Sequence, residues 1–171
     1  MMLRIAIVSD THGHVDPRIR ELVEGCDCVV HAGDIGNAGV LQDLRPRSGH
    51  IVAVRGNNDV PGAWPSDDRC VLGDLPAEAD LELPGGRLVV VHGHRAGPVV
   101  TRHVRLREKY PFARAVVYGH SHRLVCDRSD TPWILNPGAA GRARTYGGPS
   151  CLVLHALDRT WHVETVRFAP G

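Results

Sequence analysis

Short apolar runs alternate with amphipathic segments over the first third of the chain. Residues 4–8, 28–30 and 51–54 are almost continuous apolar runs, a pattern typical of strands buried on both faces. Residues 17–24 and 37–45 lie between these runs and carry apolar side chains at helical spacing. The order strand, helix, strand, helix, strand predicts parallel pairing with right-handed crossovers.

The pattern changes after a loop that is rich in Pro, Gly and Asp, which we expect over residues 61–68. Residues 81–83 and 88–91 flank the turn signal Pro84-Gly85-Gly86. Two apolar segments on either side of such a turn predict a β-hairpin, so pairing in this half should be antiparallel.

A helix is predicted over residues 98–110. We expect an apolar face of Val99, Val100, Val104 and Leu106, and we expect outward positions for Arg102, Arg105, Arg107 and Glu108. Other apolar segments beyond residue 110 have the length and β-branched content of strands. They cover residues 115–118, 124–126, 133–135, 151–157 and 161–168, and Asn136-Pro137-Gly138 is predicted to be a tight turn.

Composition places the chain among ordinary globular proteins. A length of 171 residues suits one domain with a sizeable core, so we expect a single domain over residues 1–171. The formal net charge of +1 argues against extended nucleic-acid binding, which usually needs a clear basic excess. No apolar run approaches the ~20 residues that span a bilayer, and the N-terminus lacks a signal-peptide pattern. We therefore expect a soluble, cytoplasmic protein without membrane contact.

The five cysteines of the chain do not predict a disulfide framework or a thiolate metal site. Their number is odd and no Cys-x-x-Cys pair occurs. Free and mostly buried thiols are the expected state.

Side chains that can bind a metal follow five of the predicted strands. Asp10 and His12 lie two residues apart, so in extended backbone they point to the same side and can close on one ion. Mixed oxygen and nitrogen donors without thiolates suit manganese, iron, cobalt, nickel or zinc better than calcium or magnesium. Two ions about 3.5 to 4 Å apart can share a carboxylate, whereas seven donors are too many for one ion. The seven side chains, which we call the donor cluster, are Asp10, His12, Asp34, Asn57, His92, His120 and His122.

The order of these motifs carries a family resemblance. The chain closely resembles the calcineurin-like metallophosphoesterases, in particular the small single-domain phosphodiesterases of bacteria and archaea. This resemblance implies an α/β fold, a four-layer αββα sandwich of two mixed β-sheets flanked by helices. The motifs that carry it are Asp10-x-His12, Gly33-Asp34, Gly56-Asn57-Asn58-Asp59, His92-Gly93-His94 and Gly119-His120-x-His122.

The resemblance also implies what the donor cluster does. Two divalent metal ions per chain are expected, with manganese favoured and iron, nickel, cobalt or zinc as alternatives. A hydroxide that bridges the two ions would attack the phosphorus of a phosphodiester. One ion would be held by Asp10, His12, Asp34 and His122, the other by Asp34, Asn57, His92 and His120, and the catalytic roles fall to Asp34, Asn57 and His92.

Residues beside the donor cluster are expected to orient ligands or to contact substrate. Many relatives carry histidine directly after the metal-binding asparagine, whereas this chain has Asn58, whose amide cannot act as an acid. We therefore expect leaving groups that depart unaided, as in aryl esters or strained cyclic phosphates. His31 is expected to orient a ligand or to be structural, and Asp59 to orient Asn57 or a histidine. His94 is a candidate for substrate contact, although an exposed polar position is favoured for it.

Phosphate contact is also open to several arginines, because the forked donors of a guanidinium match phosphoryl oxygens. A plain surface position is nevertheless favoured for any one of them. The candidates are Arg55, Arg95, Arg142 and Arg144.

Three functions follow from these features. The leading one is a metal-dependent phosphodiesterase whose substrate is a small nucleotide-like, cyclic or aryl diester. A phosphomonoesterase, including a protein phosphatase, is disfavoured by the missing histidine and the compact chain. A protein-binding scaffold like the retromer subunit that resembles this branch is disfavoured by the intact donor cluster. The sequence leaves a homodimer open.

Overall fold

Ten strands and four α-helices build the chain, and the computed structural model describes residues 1–171. The helices are α1 (Pro17–Glu24), α2 (Ala38–Asp43), α3 (Arg69–Asp74) and α4 (Val99–Lys109), and one turn of 3₁₀ helix at Ser66–Asp68 precedes α3. The strands are β1 (Leu3–Val8), β2 (Cys28–His31), β3 (Ile51–Ala53), β4 (Glu78–Leu83), β5 (Gly86–Val91), β6 (Ala115–Val117), β7 (Leu124–Asp127), β8 (Trp133–Pro137), β9 (Ser150–Ala156) and β10 (Trp161–Arg167).

The strands form two mixed five-stranded sheets. The first sheet has the order β10-β9-β1-β2-β3, in which β1, β2 and β3 are parallel and β9 pairs antiparallel with both neighbours. The second sheet has the order β4-β5-β6-β8-β7, in which β5, β6 and β8 are parallel and the edge strands are antiparallel. The parallel opening and the antiparallel hairpin predicted from the sequence are both confirmed.

Alternating side chains of each strand pack into different layers. Ile5 and Ile7 on β1 lie in the core between the two sheets, where they meet residues such as Leu88 and Val117 of the second sheet. Ala6 and its neighbours on the other face of the first sheet pack under α1 and α2. The outer face of the second sheet packs against α4. The four-layer αββα sandwich is thereby confirmed, and burial on both faces explains why the strands are continuous apolar runs.

The predicted faces of α4 are confirmed for the buried Leu106 and the exposed Arg105 and Glu108, and they are wrong for four other residues. Val99, Val100 and Val104 are exposed, the first two by 75% and 89%, whereas Arg102 is only 7% exposed. The guanidinium of Arg102 donates to the carbonyl oxygen of Gly97 and lies over a buried tyrosine ring, so its apolar stem is covered. Helical spacing predicted the element, but the sheet underneath decided which face is buried.

Two other local predictions also differ from the structure. Asn136 and Pro137 end strand β8 in place of the predicted tight turn. The buried Asn136 side chain donates to Gly119 O and Ser121 Oγ, and its Oδ1 accepts from Gly138 N at 2.9 Å. Helix α3 was not predicted, since only Leu72 on it is buried and the surrounding composition is typical of a loop. The longest helix, α4, has 11 residues, and no helix is long and apolar enough to cross a membrane.

Candidate metal centre

The donor cluster forms at one edge of both sheets. Its residues follow the carboxyl ends of β1, β2, β3, β5 and β6. Because β1 to β3 are parallel in one sheet and β5 and β6 are parallel in the other, these ends lie at one edge of each sheet. The hydrogen bond from His120 N to Asp10 Oδ2 at 3.0 Å joins the two edges. Backbone hydrogen bonds connect the loops directly, from Asp10 N to Gly33 O at 3.0 Å and from Gly119 N to His92 O at 3.0 Å.

Four donor atoms of one group surround a common space. His12 Nε2 lies 3.2 Å from His122 Nε2, which lies 3.4 Å from Asp10 Oδ1. Asp34 Oδ2 lies 3.8 Å from His12 Nε2. Distances of this size suit ligands of one ion, whose own bonds to nitrogen and oxygen are about 2.0 to 2.2 Å.

A second group of donor atoms adjoins the first through the same carboxylate. Asp34 Oδ2 lies 3.4 Å from His92 Nε2. Asn57 Oδ1 lies 3.0 Å from both His92 Nε2 and His120 Nδ1. The structure therefore brings all seven predicted donors together, with Asp34 between the two groups.

The backbone at these donors is unusual. Seven non-glycine residues have positive φ, and five of them belong to the donor cluster, with φ between 46° and 65°. Such left-handed conformations are uncommon for non-glycine residues and concentrate at functional sites, where surrounding contacts hold them. The five are Asp10, His12, Asp34, His120 and His122.

Glycines in the motifs allow the loops to approach the donors closely. A Cβ on Gly56 would lie 2.1 Å from Asp34 Oδ1 and 2.3 Å from the Asp34 nitrogen. A Cβ on Gly119 would lie 2.0 Å from Ser9 Oγ and 2.8 Å from Asp10 Oδ2. All four distances are shorter than van der Waals contact, so a side chain at either position would displace Asp34 or Asp10.

The charges of the cluster favour a cation. Asp10 is fully buried, and its Oδ1 has no hydrogen-bond partner in the protein. Burial raises the pKa of Asp10 to about 7, so the carboxylate needs a positive partner to be ionised at neutral pH. The pKa of Asp34 stays below its usual range, because hydrogen bonds from His92 and Asn58 outweigh its burial. An unpaired buried carboxylate oxygen beside imidazoles fits a divalent metal ion.

Histidine tautomers are also set for metal binding. The Nδ1–H of His92 donates to Ala32 O at 2.8 Å, and that of His122 donates to Ala143 O at 2.9 Å. The Nε2 lone pair of His122 is therefore available to a metal ion. Asp34 and Asp10 raise the pKa of His92 despite its burial, so that its Nε2–H also donates to Asp34, and a metal ion would replace this proton. Burial lowers the pKa of His12 and of His122, which keeps both imidazoles neutral and able to bind a metal ion.

The neighbouring residues take different positions. His31 is buried and structural: its Nδ1 accepts from Gly33 N at 3.1 Å, and its Nε2–H donates to Thr11 Oγ1 at 2.9 Å. Burial lowers the pKa of His31 to about 4, consistent with this neutral tautomer. The exposed His94 has its ring 5.5 Å from that of His92, at the rim of the site.

The expectation for Asp59 is wrong in one respect. Its carboxylate makes no hydrogen bond to Asn57 or to a histidine. It instead accepts from three backbone nitrogens and from an indole nitrogen at 2.8 to 3.1 Å, so it fixes the loops beneath the donor cluster. These donors belong to Ile35, Gly36, Gly56 and Trp64.

Asn58 contacts the shared carboxylate directly. Its backbone nitrogen donates to Asp34 Oδ1 at 2.9 Å and its Nδ2 donates to Asp34 Oδ2 at 2.7 Å. Asn58, which replaces the histidine of many relatives, therefore points toward Asp34, the carboxylate between the two donor groups.

Sequence reasoning missed two residues that support the site. Ser9 Oγ donates to Asp10 Oδ2 at 2.7 Å, and Asn136 Nδ2 donates to Gly119 O at 2.9 Å. Ser9 directly precedes a donor, which was a usable signal. Asn136 lies far along the chain, and nothing in its local pattern connects it with His120.

Comparisons with known proteins agree with this geometry. A model of the calcineurin-like phosphoesterase superfamily domain matches residues 3–159. Phosphodiesterase MJ0936 of Methanocaldococcus jannaschii is 26% identical over 151 residues, which cover 80% of this chain and 83% of that protein. Phosphodiesterase YfcE of Escherichia coli K12 is 28% identical over 174 residues, covering 85% of this chain and 86% of that protein.

Solved structures share the fold across nearly the whole chain. A single mutant of Vps29 from Entamoeba histolytica superposes with a TM-score of 0.76 at 16% identity, covering 97% of this chain and 99% of that one. An archaeal phosphodiesterase superposes with a TM-score of 0.71 at 23% identity, covering 96% of this chain and 100% of that one. With a family model that spans most of its length, the chain belongs to the calcineurin-like phosphoesterase superfamily and is a metal-dependent phosphoesterase.

Proposed function

We propose that the chain is a phosphodiesterase that uses two divalent metal ions, with manganese favoured. The observation that carries the proposal is the position of Asp34, whose Oδ2 lies 3.8 Å from a donor of one group and 3.4 Å from a donor of the other. A carboxylate in this place suits two ions that share it. Two relatives of similar length that bear the name phosphodiesterase support the choice of diesters.

Protein groups would hold the ions and the substrate in a fixed arrangement. Asp10, His12 and His122 would complete one set of ligands, and Asn57 with two histidines the other. Ions in these sets would supply the Lewis acidity that makes hydroxide available near neutral pH and that offsets phosphoryl charge. The remaining work of the chain is to hold donors whose geometry is fixed before substrate arrives.

Asn58 limits the leaving groups that the site can expel. Both of its hydrogen bonds end on Asp34, so its amide holds a ligand and has no acidic proton to give to a departing alkoxide. The leaving group must then depart as an anion. Aryl diesters and strained cyclic diesters therefore fit the site better than simple alkyl diesters.

A cavity adjoins the site at His92. It is lined by His94, Arg95 and Lys109 among others. The proposed substrate is a small diester, and His94, which is exposed beside His92, is proposed to contact it.

Purified chain reconstituted with MnCl₂ tests the proposal. We expect about two manganese ions per chain, fast hydrolysis of bis-p-nitrophenyl phosphate, and much slower hydrolysis of dialkyl and monoester phosphates. Asp34→Ala should lose both manganese uptake and turnover. The variant Asn58→His should narrow the gap between aryl and alkyl diesters, because it introduces an acid.

Other outcomes would identify the competing functions. Monoester hydrolysis that exceeds diester hydrolysis would replace the proposal with a phosphomonoesterase. Manganese uptake without turnover of either ester would favour a protein-binding scaffold. Equal turnover of aryl and alkyl diesters by the wild type would contradict the role of Asn58.

A further inference from the structure

One guanidinium reaches the edge of the donor cluster. Arg144 Nη2 lies 3.3 Å from His122 Nε2, and the side chain is otherwise exposed to solvent. Arg144 itself has a φ of 51°, so it shares the uncommon left-handed backbone of the donors. Its position in the fold comes from the segment between β8 and β9, which contains no helix or strand.

The backbone next to Arg144 is fixed to the metal centre. The carbonyl oxygen of Ala143 accepts from His122 Nδ1 at 2.9 Å. Ala140 N donates to Ser9 O at 2.9 Å, which ties the start of the segment to the end of β1. The backbone that carries Arg144 is therefore tied to the site at two points.

His122 can serve only one partner through Nε2. Its Nδ1 carries the proton that is donated to Ala143, so Nε2 offers a single lone pair. That lone pair faces Arg144 Nη2 at 3.3 Å and His12 Nε2 at 3.2 Å, and it is also the atom turned toward Asp10. A cation that takes the lone pair frees the guanidinium for a different acceptor beside it.

We infer that Arg144 binds a non-bridging oxygen of the substrate phosphoryl group. The inference rests on the proposed function and adds a specific anchor for the phosphate. A guanidinium next to two cations is repelled unless an anion lies between them, and its forked donors match the oxygens of a phosphate. Arg144 is thus set to bind substrate only where metal and phosphate are present together.

The other candidate arginines lie farther from His122. Arg55 donates to the carbonyl oxygen of Leu72 at 2.6 Å. Arg95 lines the cavity beside His92 and His94, on the side of the second donor group. Arg142 lies in the same segment as Arg144 but lines a separate cleft with His14. Arg142 therefore serves as a matched control of equal charge and exposure.

Titration calorimetry on the full-length chain separates phosphate binding from support of His122. Manganese is titrated into Arg144→Ala, Arg144→Lys, Arg142→Ala and the wild type, and inorganic phosphate is then titrated into each loaded protein. Loss of a charge-assisted hydrogen bond should weaken phosphate binding by Arg144→Ala roughly 10- to 100-fold. Arg144→Lys should weaken phosphate binding less, since lysine keeps the charge but lacks the forked donors. Arg142→Ala should bind phosphate as tightly as the wild type.

Manganese affinity decides between the two roles. Removal of a competing donor and of a nearby positive charge should leave manganese binding by Arg144→Ala unchanged or make it tighter. Weaker manganese binding in this variant would overturn the inference, because Arg144 would then only support His122. Equal phosphate affinity in Arg144→Ala and wild type, including no binding by either, would overturn it as well. The phosphate titration stands even if no diester is hydrolysed, so failure of the proposed function remains distinguishable.

Discussion

Replacement of Gly56 by alanine tests whether close backbone approach builds the metal centre. The new Cβ would lie 2.1 Å from Asp34 Oδ1 and 2.3 Å from the Asp34 nitrogen, and a backbone nitrogen cannot rotate away. Overpacking in a core costs about 1 to 3 kcal/mol, and a lost hydrogen bond to a charged group costs about 1.5 to 3 kcal/mol. The second cost applies because Asp34 Oδ1 accepts from Asn58 N at 2.9 Å. These costs overlap, so we expect Gly56→Ala to lose about 3 kcal/mol of unfolding free energy.

Urea denaturation and manganese titration measure the two consequences of Gly56→Ala. A loss of about 3 kcal/mol corresponds to a fall in Tm of about 6 to 12 °C for a chain of this size, and displacement of Asp34 should weaken manganese binding at least about tenfold. Gly73→Ala on α3 is the control, because nothing lies within 4 Å of its Cβ. That variant should gain about 0.5 to 1 kcal/mol from helix propensity. Wild-type stability and manganese affinity in Gly56→Ala would refute the reasoning.

Three further predictions concern charge, loop anchoring and thiols. Because burial raises the pKa of Asp10 from 3.8 to about 7, the unfolded chain releases this proton first and stability falls as pH rises between these values. In EDTA, the free energy of unfolding of Asp10→Asn should therefore equal that of the wild type at about pH 4 and exceed it by up to about 4 kcal/mol at about pH 8. Urea denaturation at both pH values measures the difference, and a difference that does not change with pH would contradict this prediction. Asp59→Asn places an amide against four donors and should lower the free energy of unfolding by about 3 kcal/mol in urea denaturation. A loss under about 1 kcal/mol would show that the Asp59 carboxylate is not needed to hold these loops. Ellman's reagent should label the exposed Cys70 quickly in the native chain. Cys28 and Cys151 should react only after unfolding, because burial shields them and raises their pKa values to about 11 and about 12. Fast labelling of either residue in the native chain would contradict the described burial.

Much of the fold followed from local pattern. The apolar runs of β1, β2 and β5 are long enough to be recognised as strands, and polar residues that directly follow them belong to the donor cluster. The donors were predictable because their types and order are unusual, even though they come from residues as far apart as Asp10 and His122. The division of the donors between two ions, the single domain, the cytoplasmic location and the homodimer stay predictions.

The remaining features depend on contacts that no local pattern contains. Whether Arg102 points inward is decided by the ring of Tyr118, which belongs to another element. Asn136 next to proline looks like a turn until its amide is seen to bind the loop of His120. Asp59 lies near the site as predicted but has other partners, because its donors come from two loops that are separate in the sequence.

The left-handed backbone at five of the donors has a consequence for how such a protein can change over time. A conformation of this kind costs a non-glycine residue roughly 1 kcal/mol or more, whereas glycine adopts it freely and asparagine more readily than most residues. His12→Gly or His120→Gly should therefore raise the free energy of unfolding of the metal-free protein while it removes a metal ligand. In a related protein that has lost hydrolysis we would expect glycine or asparagine at these positions, because the backbone conformation alone favours them.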